Sequence, residues 1–493
     1  MKKALSLLLV LSLLLATFAG CSEGNADETQ EKSETVSEIG ETETVSETEA
    51  ETKPDYTAHL AGTHYDDVDF RVIGNGPECG EWESHEVDAE GLTGELINDA
   101  VYERNTYLKD TYGVNIVSVK PGAECSTAFK NAVNANSPDY EMGLINANIS
   151  LQFATAGYLY DLKQLPTVQL DAIYFDGNSN SSLSVENRLY LSFGDMNLQN
   201  IDLAWCVMFN KQLAGDNSLP NMYELVENGT WDFDTFSTLA RNNSRDLNGD
   251  GEITKDDSFG LVTPYDRTAL AFLYGADISF IEKDANDDPI YIPLGDKVYE
   301  MYSKIVSLYS DNASMSVSEL AGAWRESESM FMANRILFYV ECMQNLSRFR
   351  DMEVDFGVLP MPKYDAAQEN YRHMVCDFPE ATVIPAYCTD TDLAGFVLEA
   401  LNAKSHDTVR DAYVEKALKY KNSRDEESLT SINIILGSMY YDPMYYYAWG
   451  ALTSTIGGLA QNKKDNLASS VKAVEKRMQK SIDRTIEKYR ENQ

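Results

Sequence analysis

The strongest constraint on this chain is a hydrophobic period that switches four times in succession. Asp69–Gly74 (DFRVIG) alternates as a strand does. Gly94–Gly113 (GELINDAVYERNTYLKDTYG) then sets Leu96, Ile97, Ala100, Val101, Arg104, Tyr107 and Leu108 along one side of a helix, closed by Gly113. VNIVSV follows as a strand, CSTAFKNAVNA as a helix and YEMGLIN as a strand. Strands alternating with helices predict a mainly parallel sheet covered on both faces, so the fold class is α/β.

A second unit begins near Leu189. LYLSFGD leads into DLAWCVMFN, and WDFDTFSTLARN reads as a helix capped by Asp232. SMFMANRILFYVECM joins a helix to a buried strand, while VDFGVLPMP and EATVIPAY are strands and LAGFVLEALNA is a helix. The chain ends in a helix carrying Leu467, Val471, Val474, Met478, Ile482, Ile486 and Tyr489 at spacings of three and four. More than four hundred residues follow Tyr56, which exceeds one typical domain and predicts two lobes.

The N-terminal region reads differently. Met1-Lys2-Lys3 is a short basic head, Ala4 to Phe18 is apolar and small, and Ala19-Gly20-Cys21 follows. This is the layout of a secretory signal over 1–20, with an apolar run too short for a comfortable span. A cysteine directly after small residues marks Cys21 as a lipidation site, taking acyl chains such as palmitate. Residues 21–55 are nearly all Glu, Thr, Ser and Ala, and so predict a disordered acidic tether. The net charge of −39 argues against nucleic acid and anionic lipid surfaces as partners. The six cysteines beyond Cys21 form no CxxC pair, and their spacing chooses no disulfide pairing.

Several motifs carry little. GNGPECG (74–80) nearly imitates a dinucleotide loop, but Cys79 takes the third glycine position, and the WESHEV that follows reads as strand. HExxH, GxSxG and GxxxxGK[ST] do not occur, and the five histidines are scattered without metal spacing. The loop DLNGDGEITKDD (246–257) is more specific. Asp246, Asn248 and Asp250 alternate, Gly251 permits the turn, Glu252 offers its carbonyl, and Asp257 stands where a bidentate ligand belongs. Hard oxygen donors at this spacing point to Ca2+, held as a structural staple because there is one copy only.

From about Asp66 onward the chain resembles the extracellular solute-binding proteins of family 1, the lipid-anchored receptors of ABC sugar importers, above all those of anaerobic Gram-positive bacteria. The resemblance rests on GELINDAVYERN, SPDYEMGLINANISLQFATAGYLYDLKQLP, VMFNKQL, ENGTWDFDTF, GVLPMPKYDAAQENY and RDEESLTSINIILGSMYYDPMYYYAWG. It implies a two-lobed, type II periplasmic-binding-protein-like fold with an interlobe cleft. Lobe 1 would comprise about 56–195 and 372–425, and lobe 2 about 196–371 and 426–493. The DxNxDG loop would be a clip in the second lobe.

The resemblance also implies a monomeric, non-enzymatic receptor on the extracellular face of the cell membrane. It would capture an oligosaccharide and deliver it to the importer's permease subunits. Glu341 and Gln344 match the family's ligand loop. Asn146 and Asn148 end a strand at the cleft edge, Asp195 and Asn197 lie at the first crossover, and Asp377 lies near the second. Tyr445 and Trp449 belong to an aromatic segment where the family places a stacking residue, and Trp449 is the leading one. Trp231 would anchor its helix, and Trp82 has no assigned role. The rival classes are a surface glycoside hydrolase or esterase and a non-transport adhesin or sensor partner. The first needs a paired carboxylate or nucleophile arrangement, and none stands out in the sequence.

Overall fold

The computed structural model of the chain describes residues 54–492, apart from 123, 321 and 420–425. The predicted signal at 1–20, Cys21 and nearly all of the tether at 21–55 lie outside the described residues. Strands β1 (Val68–Ile73), β2 (Val114–Val119), β3 (Met142–Asn146), β4 (Trp205–Asn210) and β5 (Phe259–Thr263) come first in the chain. Then follow β6 (Ser314–Ser316), β7 (Ile336–Cys342), β8 (Phe356–Leu359) and β9 (Glu380–Val383).

Two sheets result. The first has the order β9-β3-β1-β2, with β1 parallel to both β2 and β3 as the alternating pattern predicts. β9 adds to its edge antiparallel, from more than two hundred residues further along. The second has the order β8-β4-β7-β5-β6: β4 runs antiparallel to β8 and β7, and β5 runs parallel to β7 and β6. β4 and β7 are buried along their whole lengths, which is why they read as continuous apolar runs.

Local signals fix the element ends. The helix Leu96–Tyr112 stops at Gly113, whose φ of 67° is left-handed and whose amide bonds back to Leu108 and Lys109. A Cβ there would lie 1.9 Å from the Tyr65 carbonyl oxygen, so only glycine fits. Asp232 caps Phe233–Arg241 by accepting from the Thr235 amide at 2.8 Å. Trp231 is fully buried beside Phe236 and Phe338 and donates from Nε1 to the Pro360 carbonyl at 2.8 Å, which anchors this helix to the second sheet. WESHEV departs from its expected strand. Pro77–Trp82 is a 3-10 helix, and the residues after it are irregular. Ser84 and Glu86 are buried, with His85 exposed between them.

They turn toward the junction of the chain segments that run between the sheets. Asn197 donates to the Glu380 carbonyl at 3.2 Å, and Gln199 exchanges bonds with the Glu380 amide (3.2 Å) and Oε2 (3.3 Å). Ser84 Oγ donates to the same Oε2 at 2.6 Å. Glu380 is fully buried, Glu86 is 3% exposed, and the Oε1 of each has no hydrogen-bond partner. Burial pushes the Glu86 carboxyl up to about 7 and the Glu380 carboxyl well above the usual range. The folded chain therefore holds these protons at a pH where the unfolded chain has released them. Stability should fall as pH rises from about 4.5 toward about 7, by on the order of 1–3 kcal/mol. Urea denaturation across that range should show the decline in the parent chain and a flatter profile in Glu86→Gln.

Candidate functional site

A cavity of about 710 Å3 opens between the two sheets, where β7 ends. Backbone pairing decides where that end points. The Met343 amide donates to the Ala204 carbonyl at 2.9 Å and the Gln344 amide to the Asp202 carbonyl at 2.8 Å, so the chain turns out of the sheet at Cys342. The turn presents Gln344, Asn345 and Arg348 to the cavity beside Glu341 and Cys342. The helix Ala323–Met332 adds Trp324, Arg325 and Glu328, and Tyr265–Gly275 adds Arg267. Opposite them, the 3-10 helix after β1 supplies Glu81 and Trp82.

The floor is the crossover at 376–379. Cys376 donates its amide to Leu203 at 3.1 Å, while the Ala147 and Asn148 amides donate to Pro379 and Asp377, each at 2.9 Å. Phe378 rises from this floor into the cavity. Trp82 meets it edge to face at 5.3 Å between centroids, and the Arg267 guanidinium lies 5.8 Å from its ring. Arg348 spans the cleft, pairing with Glu81 on one side and with Glu328 at 2.5 Å on the other. Glu341 is 5% exposed and accepts from the Cys342 amide at 3.0 Å; burial raises its carboxyl pKa. Cys342 and Cys376 bring their sulfurs to 3.7 Å beneath the floor. Aromatic faces beside guanidinium, carboxylate and amide groups can hold a rigid solute that is apolar on its faces and polar at its rim.

A second cavity, of about 530 Å3, borders the same crossover at Asp377 and is lined by Asn148, Trp449 and the C-terminal helix Leu467–Glu491. Asn148 Nδ2 donates to the Asp377 carboxylate at 3.3 Å; burial raises the Asp377 pKa although this bond opposes it. Tyr445 also bonds to Asp377. Trp449 is 2% exposed, stacked on Tyr447 at 4.6 Å and bonded from Nε1 to Thr485 at 2.9 Å, so only its edge is left to border the cavity.

The residues anticipated from sequence thus divide. Glu341 and Gln344 line the main cleft, and Asn148, Asp377 and Trp449 line the second cavity. Asn146 donates to the Phe378 carbonyl at 2.7 Å and holds the floor. Asp195 lies elsewhere, in a smaller pocket, paired with His406 at 2.5 Å and Arg410 at 3.3 Å. Asn197 is 1% exposed within the junction. Trp82, Trp324 and Phe378, the aromatic residues of the main cleft, were not singled out. No local pattern marks them, because they come from three distant segments.

In the 246–257 loop, Asp246 accepts from Gly249 (2.7 Å) and Gly251 (2.8 Å), Asn248 from Asp250 (2.8 Å) and Asp250 from Glu252 (2.8 Å). These bonds hold the loop's own turns. Asp257 is fully buried and already accepts from Leu247 (2.9 Å) and Thr254 (2.7 Å). Among the described residues no three His, Cys, Asp or Glu side chains form a metal-holding group.

No family model and no curated protein sequence matches the chain. Solved structures share its architecture. M. tuberculosis UspC superposes over 84% of this chain and 100% of its own, with a TM-score of 0.56 at 13% identity. A cyclo/maltodextrin-binding protein solved with maltotetraose covers 85% and 98%, with a TM-score of 0.56 at 13% identity. An ABC substrate-binding protein from Listeria monocytogenes, solved with cycloalternan, covers 85% and 98%, with a TM-score of 0.51 at 11% identity. The chain has their two-lobed, periplasmic-binding-protein-like α/β fold.

Of the five tryptophans, Trp324 is 37% exposed and Trp82 is half-buried, whereas Trp205, Trp231 and Trp449 are buried. Acrylamide quenching of intrinsic fluorescence should therefore drop most in Trp324→Phe and hardly change in Trp449→Phe.

Proposed function

We propose that this chain is the substrate-binding lipoprotein of an ABC importer, held at the extracellular face of the membrane through Cys21, and that its solute is an oligosaccharide. One observation carries the reading: a cleft of about 710 Å3 between two lobes, with Trp82, Trp324 and Phe378 beside Glu341, Gln344 and Asn345. Pyranose rings offer C–H faces to aromatic rings and hydroxyls to carboxylates and amides. Proteins sharing the fold have been solved with maltotetraose and with cycloalternan, which supports a glycan ligand. No helix among the described residues is long and apolar enough to cross a membrane.

Each group has a role in this reading. Trp82 and Trp324 stack on sugar rings from opposite lobes. Glu341, Gln344 and Asn345 accept from and donate to hydroxyls. Arg348, paired with Glu81 across the cleft, ties the lobes together. Asn146, Asn148, Asp377 and its partner Tyr445 hold the floor, and the second cavity beside Trp449 offers room for a further sugar unit. The solute leaves unchanged, to permease subunits that recognise the closed form. Ca2+ in the 246–257 loop, through Asp246, Asn248, Asp250, Glu252 and Asp257, would be a structural clip, a role supported by the order of its oxygen donors.

A thermal-shift screen of the compact unit beginning at Asp55 tests the reading against a panel of oligosaccharides. A true ligand at about a hundred times Kd should stabilise the fold by about 2.7 kcal/mol. Trp82→Ala and Trp324→Ala should each weaken binding about tenfold or more while leaving the ligand-free melting temperature nearly unchanged. Silence across the panel would sink the sugar assignment, and hydrolysis of any bound glycan would point to the enzymatic alternative. In a parallel scan, Ca2+ should raise the melting temperature and a chelator reverse it; an unchanged value would leave 246–257 a polar turn.

A further inference from the structure

We propose that the solute of the main cleft is an anionic glycan, an oligosaccharide bearing carboxylates or sulfate esters, bound through the guanidinium groups of Arg267 and Arg325. The inference rests on the receptor reading above and narrows it to a substrate class.

Charge in the cleft carries it. Three acids and three arginines line the cavity, and their pairing is uneven. Arg348 takes two of the acids, Glu81 and Glu328, in one bridge across the cleft. The third, Glu341, is 5% exposed and tied to the amide of Cys342. Burial disfavours its ionised form. Arg267 and Arg325 remain. Both are exposed, both line the cavity, and no carboxylate among the described residues stands within ion-pair distance of either.

Arg71, Arg241, Arg335, Arg372, Arg410 and Arg490 each pair with an acid, and Arg245 and Arg477 are taken up by Asn217 and the Gly450 carbonyl, whereas Arg267 and Arg325 both turn to the main cavity. Two unpaired guanidiniums facing one cavity leave a local positive field within an acidic body. A planar guanidinium matches a carboxylate or sulfate in paired N–H···O bonds, which hydroxyls reproduce only singly. Trp82, Trp324 and Phe378 beside them still require a ring-bearing ligand rather than a small free anion.

The test is binding of the full chain, by calorimetry at low and at moderate salt, to matched probes. These are tetragalacturonate, its fully methyl-esterified counterpart, a sulfated oligosaccharide of similar length, and maltotetraose. Tetragalacturonate or the sulfated probe should bind at least about tenfold more tightly than the neutral pair, and more weakly as salt rises. Whichever anionic probe binds better identifies the charged group. Arg267→Gln and Arg325→Gln should each remove most of that preference, whereas Arg325→Lys should restore part of it through charge alone. Should either glutamine variant unfold, the salt dependence of the parent chain still decides. A neutral glycan bound as tightly as the anionic one, or a preference untouched by both variants, would overturn this inference and leave the receptor reading standing. Binding of none of these probes or of any other glycan would remove the receptor reading, and this inference with it.

Discussion

Everything in the candidate site hangs on three backbone segments knitted side by side. Leu203 and Ala204, leaving the first crossover, are bonded on one side to Val375 and Cys376 and on the other to Met343. None of these peptide groups can be left unpaired in so buried a place, so each segment fixes the next. The end of β7 must turn outward after Cys342, and Phe378 must stand where Trp82 and Arg267 reach it. The crossovers are tied a second time at Glu380, through Asn197 and Gln199. The cleft floor is thus an outcome of hydrogen-bond satisfaction, and the groups displayed on it come from segments that never meet in sequence.

Electrostatics then sorts those groups. Arg71, Arg241, Arg335, Arg348, Arg372, Arg410 and Arg490 are matched by nearby acids. Burial does the opposite work inside. Glu86, Glu341, Asp377 and Glu380 all sit where water is scarce, and each carboxyl is pushed above its ordinary range by that loss of solvation. The two glutamates of the junction work as hydrogen-bonding groups in the scaffold. Glu341, at the cavity wall, is the buried acid that a polar solute in the main cleft can reach.

Reading from sequence succeeded where the signal is local. The opening strands and helices, the glycine at 113, the cap at Asp232 and the buried runs of β4 and β7 follow from periodicity and turn chemistry within a dozen residues. Glu341 and Gln344, anticipated from the family resemblance, line the main cleft. Ser84 misled because its partner, Glu380, is far along the chain, so a strand-like pattern gave no sign of the irregular backbone that lets it reach that carboxylate. Trp449 attracted notice as part of a dense aromatic segment, yet that density is what covers it: Tyr447 lies against its face and Thr485 takes its N–H. The less conspicuous Trp82 and Trp324, each without aromatic company in the chain, are the ones left facing the cleft.

The sequence by itself determined the α/β class, the need for two units, the strongly acidic character and the oxygen-rich loop at 246–257. These depend on composition and on periods of two and 3.6 residues, which act through neighbours on the same element. Only the tertiary structure decided that β9 joins the first sheet, that Arg348 bridges Glu81 and Glu328, and that Arg267 and Arg325 face the cavity without a partner acid. Those outcomes depend on which distant surfaces are pressed together, because the distance between two charges or two rings on separate segments is fixed by packing and not by their separation in the chain.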